Sequence, residues 1–194
     1  YSAAATAAVS VCAVLLLPVV LYGFSGSVDL HLAWWSTVTG TTAPNLTNAD
    51  NVSLAGFFAK WLGSGPAATA ATALAGLGVL ALVGLVVLRG DGIEHREMLE
   101  GTLLLTIIPL LSPQGWDYVF LVASPAAAFI ANYDRSLPDY LRALCWAALL
   151  TIGLSLFDLM GREHYAAFMS WSTITVCFLV VVAGLASLRA RRIT

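Results

Sequence analysis

The chain has 194 residues, of which 59% are hydrophobic and only 10% charged, with a mean hydropathy of +0.86. Soluble domains carry about 25% charged residues, so the composition excludes that class and points to an integral membrane protein. The net charge of -2 without a large basic cluster excludes nucleic-acid binding, and Cys12, Cys145 and Cys177 show neither metal-ligand spacing nor a disulfide framework.

Taken in order, Ala3 to Phe24 is uncharged and long enough to cross a bilayer, with a kink expected at Pro18. Residues 25–66 are too polar to cross and too aromatic for a disordered linker. They are expected to form an extracytoplasmic loop with two interfacial helices, Val28 to Val38 with Trp34 and Trp35, and Ser53 to Leu62 with Phe57, Phe58, Lys60 and Trp61. Residues 40–51 read as the loop between them. Ala67 to Leu88 is a second uncharged span, rich in small residues that favour close helix packing, and a charged loop follows from Arg89 to Glu97.

Met98 to Ala131 would rise about 51 Å as one straight helix, far beyond a hydrocarbon core of about 30 Å. Pro109, Pro113 and Pro125 also interrupt it, so two short spans meeting near Pro113 are expected. A fifth span covers Leu141 to Phe157, a loop Asp158 to Tyr165, and a sixth span Ala166 to Leu188. With Tyr1 inside, six spans place Arg89, Arg96, Arg135, Arg142, Arg189, Arg191 and Arg192 on the inner side and leave only Lys60 and Arg162 outside. Merging Met98 to Ala131 into one span destroys this asymmetry, so the positive-inside rule favours six. The expected fold is therefore all-α, a single transmembrane domain over 1–194. The 25–66, 112–118 and 158–165 stretches then share the outer face, as in a bacterial plasma-membrane protein whose site faces outward.

Between the third and fourth of these spans lies a polar island, Ser112-Pro113-Gln114-Gly115-Trp116-Asp117-Tyr118. Polar groups at membrane depth are costly and tend to serve function, although a tight turn with Trp116 and Tyr118 at the lipid headgroups would also account for them. Asn51 is also a natural cap for the helix beginning near Ser53, and Lys60 a natural snorkelling cation. Asp117 is the strongest single candidate, with His31 and His164 as lesser ones.

Two segments carry a resemblance. Asn51-Val52-Ser53-Leu54, followed by Lys60, resembles the Asn-Gln-Ser-Leu…Arg segment of glycosyltransferase family 87, the GT-C-type membrane mannosyltransferases that use polyprenol-phosphate-mannose. Ser112 to Tyr118 resembles that family's Ser-Pro-x-Ser-Trp-x-His segment, in the same order along the chain. Val52 stands where the family has glutamine, Lys60 where it has arginine, Gly115 where it has serine and Tyr118 where it has histidine. Lysine keeps a positive charge but lacks the bidentate fork of arginine, and tyrosine is no cation at neutral pH.

The resemblance implies inverting transfer of a hexose such as mannose from a polyprenyl phosphate sugar donor to a glycolipid or glycan acceptor at the outer face. It implies that Asn51, Ser53, Lys60, Ser112, Trp116, Asp117 and Tyr118 line the substrate site. The sequence shows neither an Asp-x-Asp nucleotide-sugar motif nor a His/Asp metal cluster, so no nucleotide donor, metal or cofactor is expected. The family's catalytic aspartate lies after its first span and has no counterpart here. The chain opens at Tyr1 without a methionine, so a C-terminal fragment of a larger GT-C-type fold is expected, with the base upstream. The alternatives are a transporter, which would show charges paired across helices or broken helices near the midplane, and a non-catalytic multi-pass module.

Overall fold

The computed structural model describes residues 2–88 and 95–190. Arg89, Arg191 and Arg192, which entered the charge count, lie outside the described residues. The described residues are helical throughout their regular parts, and the chain divides into two compact units, Tyr1–Ala43 and Pro44–Thr194, where the sequence reading has one domain.

The first unit is helix α1 (Ser2–Asn45), whose last residues enter the second. Its break falls at Gly23 (φ 70, ψ 176) and not at the expected Pro18. A left-handed φ costs glycine little, because it has no Cβ to clash. Helix then continues to Asn45, so Val28 to Val38 is no separate interfacial helix and the loop expected over 40–51 begins only at Leu46. The threonines of this stretch satisfy themselves within the helix. Thr37, Thr39, Thr41 and Thr42 donate to the carbonyls of Ala33, Trp35, Thr37 and Val38 at 2.7–2.9 Å. His31 does likewise, with Nδ1 2.7 Å from the Ser27 carbonyl.

In the second unit, α2 (Leu54–Leu62) starts where expected, because the Ser53 hydroxyl caps it by accepting from the Gly56 N–H at 3.0 Å. Gly63 (φ 76) ends it, and Pro66 opens α3 (Pro66–Leu88). α4 (Arg96–Leu111) stops two residues after Pro109. The chain turns through 112–116 into a 3-10 helix (Asp117–Ala123) and α5 (Ser124–Asn132). The turn expected near Pro113 is thus present. α5 packs back along α4, so that Phe129, Asn132 and Tyr133 line one hollow with His95 and Met98.

After a short 3-10 turn (Asp134–Ser136) comes α6 (Asp139–Leu154). The loop expected over 158–165 is instead two short helices, α7 (Phe157–Met160) and α8 (Arg162–Ser170), joined at Gly161 (φ 74). Consequently the last apolar helix, α9 (Thr173–Ala190), begins at Thr173 and not at Ala166.

Among the described residues, three helices are long and apolar enough to cross a membrane: α1 over Ala5–Asn45, α3 and α9. α4 and α6 have 16 residues each, a rise of about 24 Å. α9 is the hub, with 61% of its apolar window buried against 11% for α3. Leu99, Leu103, Ile107 and Leu110 of α4 follow a helical repeat that sets them on one face, and with Val181, Val182, Leu185 and Leu188 of α9 they form the core. Cys145 and Ala148 of α6, with Ala126 and Ile130 of α5, complete it. Gly184 lets Cys145 approach, since a Cβ there would lie 2.5 Å from its sulfur.

Charge concentrates at one end of this core. Arg189, in the last turn of α9, is fully buried, and its Nη2 lies 2.8 Å from Glu100 Oε1. Arg96 Nε reaches the same oxygen at 2.7 Å. Both guanidinium groups also approach the Val87 carbonyl of α3, so the cluster ties three helices together. The opposite ends of α4 and α9 hold the polar segments.

Candidate functional site

The two segments singled out by sequence touch at that opposite end. Asn51 and Trp116 form an isolated antiparallel bridge, and the Val52 N–H donates to the Gly115 carbonyl at 2.7 Å. Extended backbone at both places exposes its polar groups to pairing, and each segment supplies the other's partner. Gly115 is what lets them meet. A Cβ there would overlap the Pro109 carbonyl oxygen and sit 3.1 Å from Ser53 Cβ.

Asn51 is the centre of the joint, and no part of it is exposed. Its Nδ2 donates to the carbonyls of Asn45 (3.1 Å) and Pro113 (3.0 Å), while its Oδ1 accepts from the Ser53 N–H (3.1 Å) and hydroxyl (2.8 Å). An amide has two donors and two acceptor positions, so all four are used. Ser53 is equally buried and also caps α2. Thr175 of α9 closes the joint from the third side, donating to the Val52 carbonyl at 2.8 Å. Asn51 and Ser53 therefore hold backbone together and present no hydrogen-bonding group to an open cavity.

Lys60 sits on α2, half-buried, one helical face from this joint. Its Nζ donates to the carbonyls of Ala49 (2.7 Å), Asn51 (2.8 Å) and Met169 (3.1 Å), which matches the three protons of an ammonium. Burial lowers its pKa from 10.5 to about 8, with Asp50 pulling the other way. Below about pH 8 the folded and unfolded chains both hold this proton. Between about 8 and 10.5 the unfolded chain still binds it and the folded chain does not, so this group makes the fold more stable as pH rises through that window. Lys60 is the only lysine in the sequence, so the pH profile of its acetylation in the folded protein reads the value directly. The expected midpoint lies near pH 8; one near 10.5 would contradict it.

The remaining candidates face outward. Trp116 and Ser112 are half-buried, and Tyr118 is exposed. Asp117 accepts the Tyr118 N–H on Oδ1 at 2.7 Å and the Tyr165 hydroxyl on Oδ2 at 3.2 Å. Tyr165 in turn packs edge-on against Phe157. Burial, followed by the nearby Asp117 charge, pushes the Tyr165 phenol up to about 12, so it stays a donor at any ordinary pH. Asp117 also stands among the residues lining a cavity of about 440 Å³ between the 117–127 segment, α6 and α9. Its walls are Leu121, Ala127, Leu149, Ile152, Leu156 and Phe178, with Ser124 and Ser155 as the other polar side chains.

No family model matches this chain, and no curated protein or solved structure does. The site stands on its own geometry.

Sequence reasoning missed Tyr165, Thr175 and the Met169 carbonyl. Their partners lie 48, 123 and 109 residues away, and no local spacing marks such pairs. Among the described residues, no group of three or more His, Cys, Asp or Glu side chains converges. Two further aromatic residues, Trp61 and Trp171, are largely exposed at the same end, where the Trp61 indole N–H donates to the Trp171 carbonyl at 3.3 Å.

Proposed function

We propose that this chain is part of a membrane glycosyltransferase that moves a hexose from a polyprenyl phosphate donor to an acceptor at the extracytoplasmic face. The observation that supports this reading most is the direct pairing of the two segments that resemble family 87, Asn51-Val52 against Gly115-Trp116, although 62 residues separate Asn51 from Pro113. Nothing in a simple lipid-facing turn requires those two stretches to meet.

In this reading six helical segments cross the membrane, with α4, the 117–132 arm and α6 as short spans beside α1, α3 and α9. The Glu100, Arg96 and Arg189 cluster marks the cytoplasmic end, in keeping with the positive-inside rule. Asn51, Ser53 and Lys60 hold the frame of the site, while Ser112, Trp116, Asp117 and Tyr118 form its wall. Trp116 offers a flat apolar face to a sugar ring, and Asp117 accepts from sugar hydroxyls. A donor phosphate reaching Lys60 would replace one of its three carbonyl partners.

Sugar transfer from a polyprenyl phosphate donor by the full-length protein tests the reading. Asp117→Asn is expected to lower kcat/KM about tenfold, the scale of one hydrogen bond to a charged acceptor, and Lys60→Ala is expected to lower it further. Unchanged transfer in both variants would reject the site.

One observation favours a transporter instead. The long apolar helix α1 is broken at Gly23, far from either of its ends. The Glu100–Arg189 pair does not add to that reading, because it lies at the end of α9 and away from the midplane.

A further inference from the structure

The three walls of the cavity beside Asp117 are connected at one end by a single piece of chain. The α6 wall finishes with Ser155 and Leu156, the 3-10 wall starts at Asp117, and the α9 wall starts at Ile174. Residues 157–171, which carry α7 and α8, leave the first wall, touch the second through the Tyr165 hydroxyl and lead into the third. The segment therefore meets every wall of the cavity, at the end that also holds the Asn51 joint.

Little holds the segment there. From 157 to 171 Met169 alone is buried, and Asp158, Arg162, Glu163 and His164 are exposed and, among the described residues, in no salt bridge. At the α9 end Lys60, Trp61 and Thr173 donate to the carbonyls of Met169, Trp171 and Phe168 at 3.1–3.3 Å. In the middle, Tyr165 reaches Asp117 at 3.2 Å. The corner into α9 also carries a cost. Ser172 has a left-handed φ of 54 although it bears a Cβ, and its fully buried hydroxyl has no hydrogen-bond partner. Both penalties belong to this closed arrangement. They lapse if α8 lifts, because the corner can then take an ordinary φ and its hydroxyl can cap α9 or meet water. Gly161 (φ 74) supplies a second joint, between α7 and α8, without steric cost.

We infer that residues 157–171 form a gate to the cavity, latched by the Tyr165–Asp117 hydrogen bond and biased toward opening by the corner at Ser172. Opening lifts α8 from Asp117, frees the Oδ2 acceptor and widens the way into the cavity from the polar end of this unit. The inference concerns access, and it stands whether or not the cavity serves sugar transfer.

Hydrogen exchange and thiol labelling of the full-length protein in nanodiscs, with no substrate, test the gate. Helical amides of 162–170 exchange when the gate opens, so their rate reports the open population. Tyr165→Phe removes the latch and is expected to raise that rate about fivefold, the equivalent of one net hydrogen bond. Ser172→Gly removes both costs at the corner and is expected to lower it about fivefold, because glycine adopts a left-handed φ freely. Ser172→Ala, which removes only the unpartnered hydroxyl, is expected to fall between the parent chain and Ser172→Gly. Access is read in an Ala126→Cys background, which puts a thiol on the cavity wall at a position 1% exposed. Its alkylation by N-ethylmaleimide, mapped by mass spectrometry, is expected to speed up with Tyr165→Phe and slow down with Ser172→Gly in step with exchange. Exchange that Ser172→Gly leaves unchanged or speeds would overturn the bias at the corner, and exchange indifferent to Tyr165→Phe would overturn the latch. Labelling that does not follow exchange would reject the gate, since the segment would then move without controlling entry.

Discussion

Replacing Arg189 by methionine is expected to destabilise the fold by about 3 kcal/mol, near the low end of what breaking a buried ion pair costs. The side chain is fully buried, so removing its charge leaves Glu100 facing only Arg96 and leaves the Val87 carbonyl one donor poorer. Methionine fills much of the same volume, so the loss is electrostatic more than steric. Unfolding in mixed micelles measures it. The double variant Glu100→Gln with Arg189→Met is expected to recover at least half of the loss, because the carboxylate that lost its buried partner is then neutral. If the double variant is no better than the single one, the pair is not what holds α3, α4 and α9 together.

Gly115→Ala is expected to be nearly as damaging, about 2–3 kcal/mol, although it adds a single methyl group. That methyl group would collide with the Pro109 carbonyl oxygen, which is backbone and cannot swing away, and would press on Ser53 Cβ at 3.1 Å. The Val52–Gly115 hydrogen bond and the four bonds of Asn51 depend on this close approach. Gly101→Ala supplies the control within α4. A Cβ there meets nothing within 4 Å, and alanine in a helix gains about 0.5–1 kcal/mol over glycine. Equal melting of the two variants would mean that the joint tolerates separation. A serine stands at the position of Gly115 in the family pattern, so Gly115→Ser also shows whether the joint in this chain is tighter than that pattern allows.

Several features were legible from sequence because their causes are local. The apolar runs that became α3 and α9, the serine that caps α2 and the proline-marked turn after α4 each depend on residues within one or two helical turns. Local chemistry also misled. The glycines, threonines, asparagines and aromatic residues after Phe24 suggested a short interfacial helix over Val28 to Val38 and a loop over 40–51, yet the helix runs on to Asn45, with its threonines and His31 bonded back to the preceding turn. The polar residues around Asp158 to Tyr165 were read as loop for a similar reason, yet they form α7 and α8, which deliver Tyr165 to Asp117.

By itself, then, the sequence determined the class of protein and the two segments worth watching, because composition and hydropathy set the solvent a chain can live in and short motifs are contiguous. Only the tertiary structure decided what those segments do to each other. Asn51 and Ser53 became the sealed joint and Asp117 part of a cavity wall, because whether a polar side chain is spent on backbone or left facing a cleft depends on partners far along the chain.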